Sequence, residues 1–251
     1  MTYCLGIVLP AGLVLACDSR SNAGVDQITR VMKLATMTVP GERMIAVLSS
    51  GNLATTQAVV TSLWEAAGGG GDDDLHRASS MFEVARAVGD KLRHVVDRDA
   101  KYVEPYGDVT ASFLVAGQIK GEPPRLFEVY VAGNFVEATA RSAFLQIGET
   151  KYGKPILDRA LSAGSSLDEA AKLALLSFDA TIRSNLSVGL PIDMLRYQSD
   201  SFSTANFTTL EEHNAYWRDL RRDYADGLTA LVANIPPPPE EHGPPDRNRP
   251  F

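Results

Sequence analysis

The sequence predicts a layered α+β fold in which two β-sheets face each other and helices cover both outer sides. Two observations carry this prediction. Blocks of short, apolar, β-branched runs alternate along the chain with blocks of paired segments whose apolar residues recur at helical spacing. Each of these elements has an apolar face that must be buried, and a four-layer order of helix, sheet, sheet and helix buries all of them.

The strands are predicted first near the N-terminus. Residues 2–9 and 13–18 are apolar runs joined by a short turn, and residues 31–37 and 44–49 form a second such pair. Each pair is expected to be an antiparallel hairpin. Later strands are predicted at residues 109–116, 126–131, 135–139 and 192–197.

The helices are predicted from apolar residues three and four positions apart. Ser166 is a suitable N-cap, and Asp168 and Glu169 follow it in the first turn, where the helix dipole favours negative charge. The five predicted helices cover residues 52–67, 79–99, 155–163, 167–183 and 210–233. We expect one domain over residues 1–234, with no repeat or linker, and a disordered tail rich in proline and charge over residues 235–251.

Composition narrows the function. Of 251 residues, 45% are hydrophobic and 22% charged, as in ordinary globular proteins, and the net charge of −7 argues against nucleic acid or an anionic membrane as a partner. No signal peptide or membrane-spanning run is evident, so a cytoplasmic protein is expected. Cys4 and Cys17 lie in apolar runs and are interpreted as small core residues in a reducing compartment. The four histidines are scattered, so neither a metal nor a cofactor is expected.

Thr2 is the most informative position. Methionine followed by a small residue is a usual substrate of methionine aminopeptidase, so the mature chain is expected to begin at Thr2. An N-terminal threonine carries a hydroxyl and a free α-amine, and the amine, with a pKa of roughly 8, can activate the hydroxyl as a nucleophile.

Two charged residues have positions that suit this chemistry. Asp18 ends the second strand of the first hairpin, at the same end as Thr2, and a third strand paired alongside could bring Lys33 there. An ammonium beside the threonine hydroxyl would stabilise its alkoxide, and a carboxylate would keep that ammonium charged. The alternative is that either charge lies on a solvated strand face.

Ser50-Gly51-Asn52 lies between a strand and a helix. Backbone N–H groups at a helix start are unpaired, and Gly51 permits close approach of a substrate, so this turn suits an oxyanion hole. The alternative is a plain strand-to-helix turn.

The chain resembles proteasome β-subunits and HslV, which are N-terminal nucleophile hydrolases, and most of all the Anbu-type bacterial proteasome homologues. The likeness extends from Thr2 to about Tyr197. It is carried by Thr2 and by four segments: ACDSR at 16–20, NAGVD at 22–26, VMKL at 31–34 and SGNLATTQAV at 50–59.

The resemblance implies a role for each matching residue. Thr2 would be the nucleophile, Lys33 would lower the pKa of its hydroxyl, Asp18 would pair with Lys33, and the Gly51 N–H would donate to the oxyanion. The resemblance further implies that the substrate cleft and its small, largely uncharged side-chain pocket, near Arg30, are lined by Ser21, Asn22, Val31, Ala35, Ser49 and Leu53.

Two departures from the proteasome pattern concern accessory residues. Where proteasome subunits carry Gly-Ser-Gly, this chain has Gly148-Glu149-Thr150, so Glu149 or Thr150 replaces the assisting serine. In the segment that follows the long helix, Ser187 is retained among the catalytic residues, but Ser184 replaces an aspartate that orients the nucleophile. This substitution puts ordinary peptidase rates in doubt.

The sequence thus favours a threonine peptidase or amidohydrolase that acts through an acyl-enzyme. The alternatives are a weakly active or inactive assembly or binding protein on the same fold, and an amidase or transpeptidase of small peptides. The resemblance also implies a ring or spiral of identical chains. The chain has no ATPase motif, so any unfoldase would be a separate protein.

Overall fold

Twelve strands and five helices are formed by residues 2–22, 28–71 and 74–239, the part of the chain that the computed structural model describes. Met1, residues 23–27, residues 72–73 and the tail from residue 240 onward lie outside it. Most of the family-like segment at 22–26 is therefore not described. In chain order the strands are β1 (Tyr3–Leu9), β2 (Gly12–Asp18), β3 (Arg20–Asn22), β4 (Ile28–Arg30), β5 (Leu34–Val39), β6 (Arg43–Gly51), β7 (Ala111–Ile119), β8 (Arg125–Val129), β9 (Phe135–Glu137), β10 (Phe144–Gly148), β11 (Ile192–Gln198) and β12 (Phe207–Leu210). The helices are α1 (Leu53–Ala66), α2 (Met81–Val103), α3 (Lys154–Ala160), α4 (Leu167–Ser184) and α5 (Ala215–Asn234).

The strands form two five-stranded antiparallel sheets. The first has the order β10-β1-β2-β11-β12 and the second the order β5-β6-β7-β8-β9, while β3 and β4 form a separate small ribbon. The predicted hairpin of β1 and β2 is present, with Cys4 opposite Cys17. The two ends of this hairpin, Thr2 and Asp18, therefore lie side by side at one end of the strands of the first sheet.

Three apolar clusters hold the layers together. Between the sheets, alternate residues of both sheets interdigitate, among them Leu15, Leu48 and Leu114. On the outer face of the second sheet α1 and α2 are buried through residues such as Leu63 and Val88. On the outer face of the first sheet α3, α4 and α5 pack through the residues Leu157, Phe178 and Trp217. The predicted four-layer α+β fold is confirmed.

The helix starts follow from local hydrogen bonds. Ser166 accepts from the Glu169 N–H while the Glu169 carboxylate accepts from the Ser166 N–H, so the cap expected for α4 is a full capping box. Asn52 caps α1 by accepting from the Thr55 N–H. The Asn52 cap fixes the turn that connects β6 to α1.

Four strands were not expected from the sequence. The strands β3 and β4 have three residues each, and β12 has four, most of which are exposed, so none carries a clear alternating pattern. Strand β10 contains Gln146 and ends in Gly148, which weakens its apolar signal. The last helix begins at Ala215 rather than at residue 210, because residues Phe207–Leu210 pair with β11 and Asn214 caps the helix.

Candidate active site

Thr2 lies directly before β1, and its carbonyl group is held by the residue that follows β10. Its carbonyl accepts a hydrogen bond from the Glu149 N–H at 2.7 Å. Beside it, Gly148 has a φ of +83°, and a Cβ added there would lie 1.9 Å from the Thr2 carbonyl oxygen. Only glycine fits this position, because it alone tolerates both the left-handed conformation and the close approach.

Tyr3 anchors the strand that carries Thr2. Its hydroxyl lies 2.6 Å from Ser177 Oγ and accepts from the Gln146 amide, and its ring packs on Phe178 with centroids 4.5 Å apart. Burial raises the pKa of Tyr3 to about 12, since the phenolate would lose its hydration. The start of β1 is therefore tied to α4 by a neutral, fully buried side chain.

Asp18 and Lys33 form a buried ion pair beside this strand. Lys33 Nζ donates to Asp18 Oδ1 at 2.8 Å, and the same carboxylate oxygen accepts from the Tyr3 N–H at 3.0 Å. Lys33 Nζ also donates to the Arg20 carbonyl at 2.5 Å. The Asp18 and Lys33 side chains are 0% and 7% exposed, which excludes the alternative of a solvated strand face for either residue.

Opposing effects act on the pKa of the Asp18 carboxyl. Burial raises its pKa above the ordinary value, while the Lys33 ammonium and the N–H groups of Tyr3 and Arg20 act in the opposite direction. The net effect is upward. The proton of Asp18 is therefore bound more tightly than in an exposed aspartate, and the ion pair opens at a higher pH on acidification.

Lys33 reaches this place by a different route from the one expected. The predicted pairing of residues 31–37 with residues 44–49 is confirmed, because β5, which begins at Leu34, pairs with β6. This hairpin belongs to the second sheet and not to the first, so Lys33 precedes β5 and comes from the facing sheet. Its carbonyl accepts from the Ser49 N–H at 3.0 Å, which fixes the backbone beside β6. The suggestion that a strand alongside the first hairpin brings Lys33 to this place was wrong, because the contact between Lys33 and Asp18 crosses the sandwich.

Gly51 ends β6 at the same end of the sandwich. Its φ is +114°, and a Cβ added there would lie 2.4 Å from the Thr110 carbonyl oxygen, so a side chain does not fit. The expectation of unpaired N–H groups after it was wrong in part. The Asn52 N–H donates to the Thr110 carbonyl at 2.9 Å and the Thr55 N–H is taken by the Asn52 cap, so neither is available to an oxyanion. Gly51 stays the candidate donor.

Glu149 and the segment after α4 form a second polar group next to Thr2. The Glu149 side chain is 7% exposed, and its Oε2 accepts from Asn185 Nδ2 at 2.8 Å, while Lys151 Nζ lies 3.6 Å from Oε1. Asn185 Oδ1 in turn accepts from the Ser187 N–H at 2.9 Å. Of the two residues considered for the family serine's place, Glu149 is thus linked to the retained Ser187. Sequence reasoning did not single out Asn185.

A third polar cluster was missed altogether. Asp193 on β11 is 8% exposed and accepts from Ser19 Oγ at 2.9 Å and from Thr209 Oγ1 at 2.7 Å. It lies opposite Cys17 in the sheet register. An aspartate among the apolar residues Ile192, Met194 and Leu195 was the available signal. The cluster fixes Ser19, the residue that follows Asp18.

Both cysteines are free and buried. The neighbouring Cys4 thiol and burial together raise the pKa of the Cys17 thiol well above its ordinary value. The Cys4 thiol donates to the Ser49 carbonyl at 3.5 Å. The Cys17 thiol therefore lacks the thiolate character of a nucleophile, and the burial of both cysteines agrees with their interpretation as core residues.

The predicted cleft residues divide into those that the structure describes and those that it does not. Ser21 and Asn22 lie on β3, but their side chains fall outside the described part of the molecule. Val31, Ala35 and Ser49 are half-buried, and Leu53 is 39% exposed. The Val31 N–H donates to the Ser19 carbonyl at 2.9 Å, which places Val31 beside the segment that carries Asp18.

Arg30, which could have given the predicted substrate pocket a positive charge, is paired with Glu211. Its guanidinium donates two hydrogen bonds of 3.2 Å to the Glu211 carboxylate, so its charge is matched locally. Among the side chains that the structure describes, no group of three or more histidine, cysteine, aspartate or glutamate residues could hold a metal ion. None of the described helices is both long and apolar enough to cross a bilayer.

A four-layer sandwich with a threonine at residue 2, beside a buried lysine–aspartate pair, has the fold of the N-terminal nucleophile hydrolases. In agreement, a family model for the proteasome subunit matches residues 2–194. No match is found among curated proteins.

Solved structures refine this class. Anbu (ancestral β-subunit) from Yersinia bercovieri is 44% identical over 96% of this chain and 100% of that one, with a TM-score of 0.90. Anbu from Pseudomonas aeruginosa, solved as a helical assembly, is 43% identical over 96% and 100%, with a TM-score of 0.91. A Gly-1 mutant of Anbu from Hyphomicrobium sp. strain MC1 is 44% identical over 96% and 100%, with a TM-score of 0.89. The chain belongs to the Anbu branch of the proteasome-subunit family.

Proposed function

We propose that this chain is a proteasome-type threonine peptidase or amidohydrolase in which Thr2 is the nucleophile once Met1 has been removed. One observation carries the proposal. A single oxygen of Asp18 accepts from the backbone N–H of Tyr3, the neighbour of Thr2, and from the ammonium of Lys33. This arrangement supports a role for the buried Lys33 ammonium in stabilising an alkoxide on Thr2.

The proposed reaction has two halves. Thr2 Oγ1 attacks the carbonyl carbon of an amide, and the hydroxyl proton passes to the Thr2 α-amine. The C–N bond then breaks, the leaving amine takes that proton, and an ester to Thr2 remains. A water molecule, deprotonated by the same amine, attacks the ester, and cleavage of the C–O bond returns Thr2 to its starting state.

The remaining residues would assist these steps. The Gly51 N–H would donate to the oxyanion in both halves, at a place that excludes any side chain. Lys33, held by Asp18, would face the Thr2 hydroxyl and stabilise its alkoxide. Ser187 and Glu149 would orient the mature N-terminus, with Asn185 joining the two. Ser21, Asn22, Val31, Ala35, Ser49 and Leu53 would line the substrate cleft.

Self-association into a ring or spiral of identical chains is part of the proposal. The Anbu complex of Pseudomonas aeruginosa forms a helical assembly. The alignment with that protein covers 96% of this chain and 100% of that one. We place the protein in the cytoplasm, in line with its two free cysteines.

A second candidate function is an assembly or binding protein with little or no hydrolysis. It is favoured by Ser184, which stands where proteasome subunits carry an aspartate. An amidase or transpeptidase of small peptides is a third candidate, which differs from the first in substrate size and in whether an amine replaces water as the second nucleophile.

Covalent labelling separates these candidates. Mass spectrometry of the intact protein should give the mass of a chain that begins at Thr2, and a peptide epoxyketone or β-lactone should add to that residue. The Thr2→Ala variant, purified in parallel, should remain unlabelled. Retention of Met1 would block the amine and overturn the mechanism, whereas a free Thr2 that takes no label favours the binding protein. A peptide-library screen then tests for peptidase activity, and an assay with an added amine acceptor tests for transpeptidase activity.

A further inference from the structure

The outer edge of β10 borders a groove that the proposed reaction does not use. Strand β10 is the last strand of the first sheet, and among the described residues no strand pairs with its outer edge. The groove lies between β10, the turn before it and α3, and its volume is about 390 Å³. This size is within the range of ligand-binding pockets in proteins.

The backbone of β10 presents hydrogen-bonding groups to this groove. The Glu149 N–H donates to the carbonyl of Thr2, and the Ala143 carbonyl accepts from the N–H of Val8, so the odd-numbered positions of this segment face β1. In an antiparallel sheet, alternate residues of an edge strand turn their N–H and C=O groups outward. The even-numbered residues Phe144 and Gln146, which line the groove, therefore offer two donors and two acceptors to a further strand.

The sequence of β10 does not protect this edge from pairing. Edge strands are commonly protected by charged residues or proline, and Phe144–Gly148 has the sequence FLQIG, with neither. An open edge of this kind suits strand addition, the mode of recognition in which an extended peptide lengthens a sheet through main-chain hydrogen bonds.

The opposite wall of the groove is formed by one side of α3. Leu157 and Leu161 line it there, and the half-buried Phe144 lines it on the strand side. Lys154 and Asp158, which also line the groove, pair with each other at 2.6 Å, so their charges are matched. Because the side chains of a strand alternate between its two faces, a segment added to β10 would turn every second side chain towards this apolar wall.

Arg141 sets the net charge of the groove. It lies in the turn between Thr139 and Ser142, is exposed, and pairs with none of the side chains that the structure describes. The chain as a whole has a net charge of −7, so a basic surface in general does not account for this cation. We propose that the groove between β10 and α3 binds an extended, acidic segment of another protein, which adds to the first sheet as a further strand.

The chain's own tail fits the groove less well. Residues 236–251 include seven prolines, each of which lacks the N–H that a paired strand donates. The proposal goes beyond the hydrolase function, because neither the groove nor its binding of a peptide requires the Thr2 hydroxyl.

Fluorescence polarisation with the full-length Thr2→Ala variant, which lacks the proposed nucleophile, tests the groove. The probe is the labelled peptide Glu-Val-Thr-Val-Glu, blocked at both ends, and the comparison peptide is Lys-Val-Thr-Val-Lys. The acidic peptide should bind about five-fold more tightly than the basic one. Adding Arg141→Glu should reverse this preference, and adding Leu161→Asp should weaken the binding of both peptides. The matched control is Val136→Asp on β9, the edge strand of the other sheet, which should bind as before.

Methylation of the probe's backbone tests strand addition itself. In an extended peptide alternate N–H groups point to the same side, so only one alternating set can face β10. One probe is methylated on both valine nitrogens, and a second on the threonine and last glutamate nitrogens. One of the two should bind about five-fold more weakly than the unmethylated peptide, and the other nearly as well. Equal affinities of the two methylated probes would rule out strand addition.

Three further outcomes overturn the proposal. They are no binding to a protein that circular dichroism shows to be folded, binding that survives both Arg141→Glu and Leu161→Asp, and no peptide binding together with a lower light-scattering mass of the Arg141→Glu variant. The last of these would make a second copy of this chain the occupant. Because the assay uses no Thr2 chemistry, its failure leaves the hydrolase proposal intact, and a Thr2 that takes no covalent label leaves this proposal intact.

Discussion

Lys33 and Asp18 join the two sheets of the sandwich at the edge where the chain begins. Asp18 is the last residue of β2 in the first sheet, Lys33 precedes β5 in the second, and 2.8 Å separates Nζ from Oδ1. Because both side chains are buried, the pair is screened little by salt and holds its geometry. The same carboxylate oxygen fixes the Tyr3 N–H, so one atom sets the distance between the start of β1 and the ammonium.

The first prediction concerns this ammonium. Replacing Lys33 by alanine should slow covalent labelling of Thr2 by about 10²–10⁴-fold, the usual effect of losing a group that assists proton transfer. The rate of β-lactone or epoxyketone addition, followed by mass spectrometry, measures it. Lys154→Ala, which removes an exposed lysine paired with Asp158, is the matched control and should label at the original rate.

Removal of one partner of a buried pair can also destabilise the fold by about 3–5 kcal/mol. Asp18→Asn is therefore measured as well, because asparagine keeps an acceptor for the Tyr3 N–H. Circular dichroism and urea unfolding establish whether each variant is folded. A folded Lys33→Ala protein that labels as fast as the original would rule out the proposed role of the lysine.

Much of the site could be predicted from the sequence because its residues follow from local features. Thr2 could be predicted as a site residue from its place at the start of the sequence, Asp18 from its place at the end of a hairpin strand, and Gly51 from its place in a strand-to-helix turn. Lys33 was placed at the correct end of the molecule but in the wrong sheet, since nothing local specifies which strand lies across the sandwich.

The sequence did not reveal the long-range contacts of the candidate site. Asn185 meets Glu149 across 36 positions of the chain, and Asp193 meets Ser19 across 174. Polar side chains are common in loops and at strand ends, so their types alone carry no information about partners. Only the packing of α4 and β11 against the first sheet brings these pairs together.

A second prediction concerns Glu149 and the mature N-terminus. Thr2 and Glu149 lie opposite each other across the β1–β10 edge, and the Glu149 carboxylate is buried there. A nearby negative charge favours a protonated amine, so Glu149→Gln should lower the pKa of the Thr2 α-amine. The pH dependence of amine acylation by a water-soluble anhydride, read by mass spectrometry, gives this pKa without any need for hydrolytic activity.

The control for this prediction is Glu137→Gln, which removes an exposed carboxylate paired with Arg125 far from Thr2. Glutamine at position 149 retains an acceptor for Asn185 Nδ2, so the fold should persist. If both variants leave the amine pKa where it was, Glu149 has a structural role only.

A third prediction separates backbone strain from close contact at Gly148. Gly148 and Gly121 both have positive φ, +83° and +95°, but a Cβ at Gly148 would lie 1.9 Å from the Thr2 carbonyl oxygen, whereas one at Gly121 meets nothing within 4 Å. Gly121→Ala should cost roughly 1–2 kcal/mol of unfolding free energy from strain alone. Gly148→Ala should cost about 1–3 kcal/mol more and should abolish labelling of Thr2. Equal losses of stability in urea, with labelling retained, would contradict the proposed contact.

The last prediction uses the buried Tyr3 hydroxyl. Its pKa of about 12 in the folded chain lies above the ordinary value of 10.0, so between these two values the unfolded chain has lost its proton while the folded chain keeps it. The free energy of unfolding therefore falls as the pH rises through this window, by about 2–3 kcal/mol in all at 1.36 kcal/mol per unit. Tyr3→Phe cannot ionise, so although it loses the contact with Ser177 and starts less stable, its unfolding free energy should fall less steeply from pH 10 to 12. Urea unfolding of both proteins at intervals across this range measures the difference in slope, in which the other tyrosines cancel. Parallel slopes would mean that Tyr3 ionises as freely in the fold as outside it, and that β1 is not anchored to α4 through a neutral phenol.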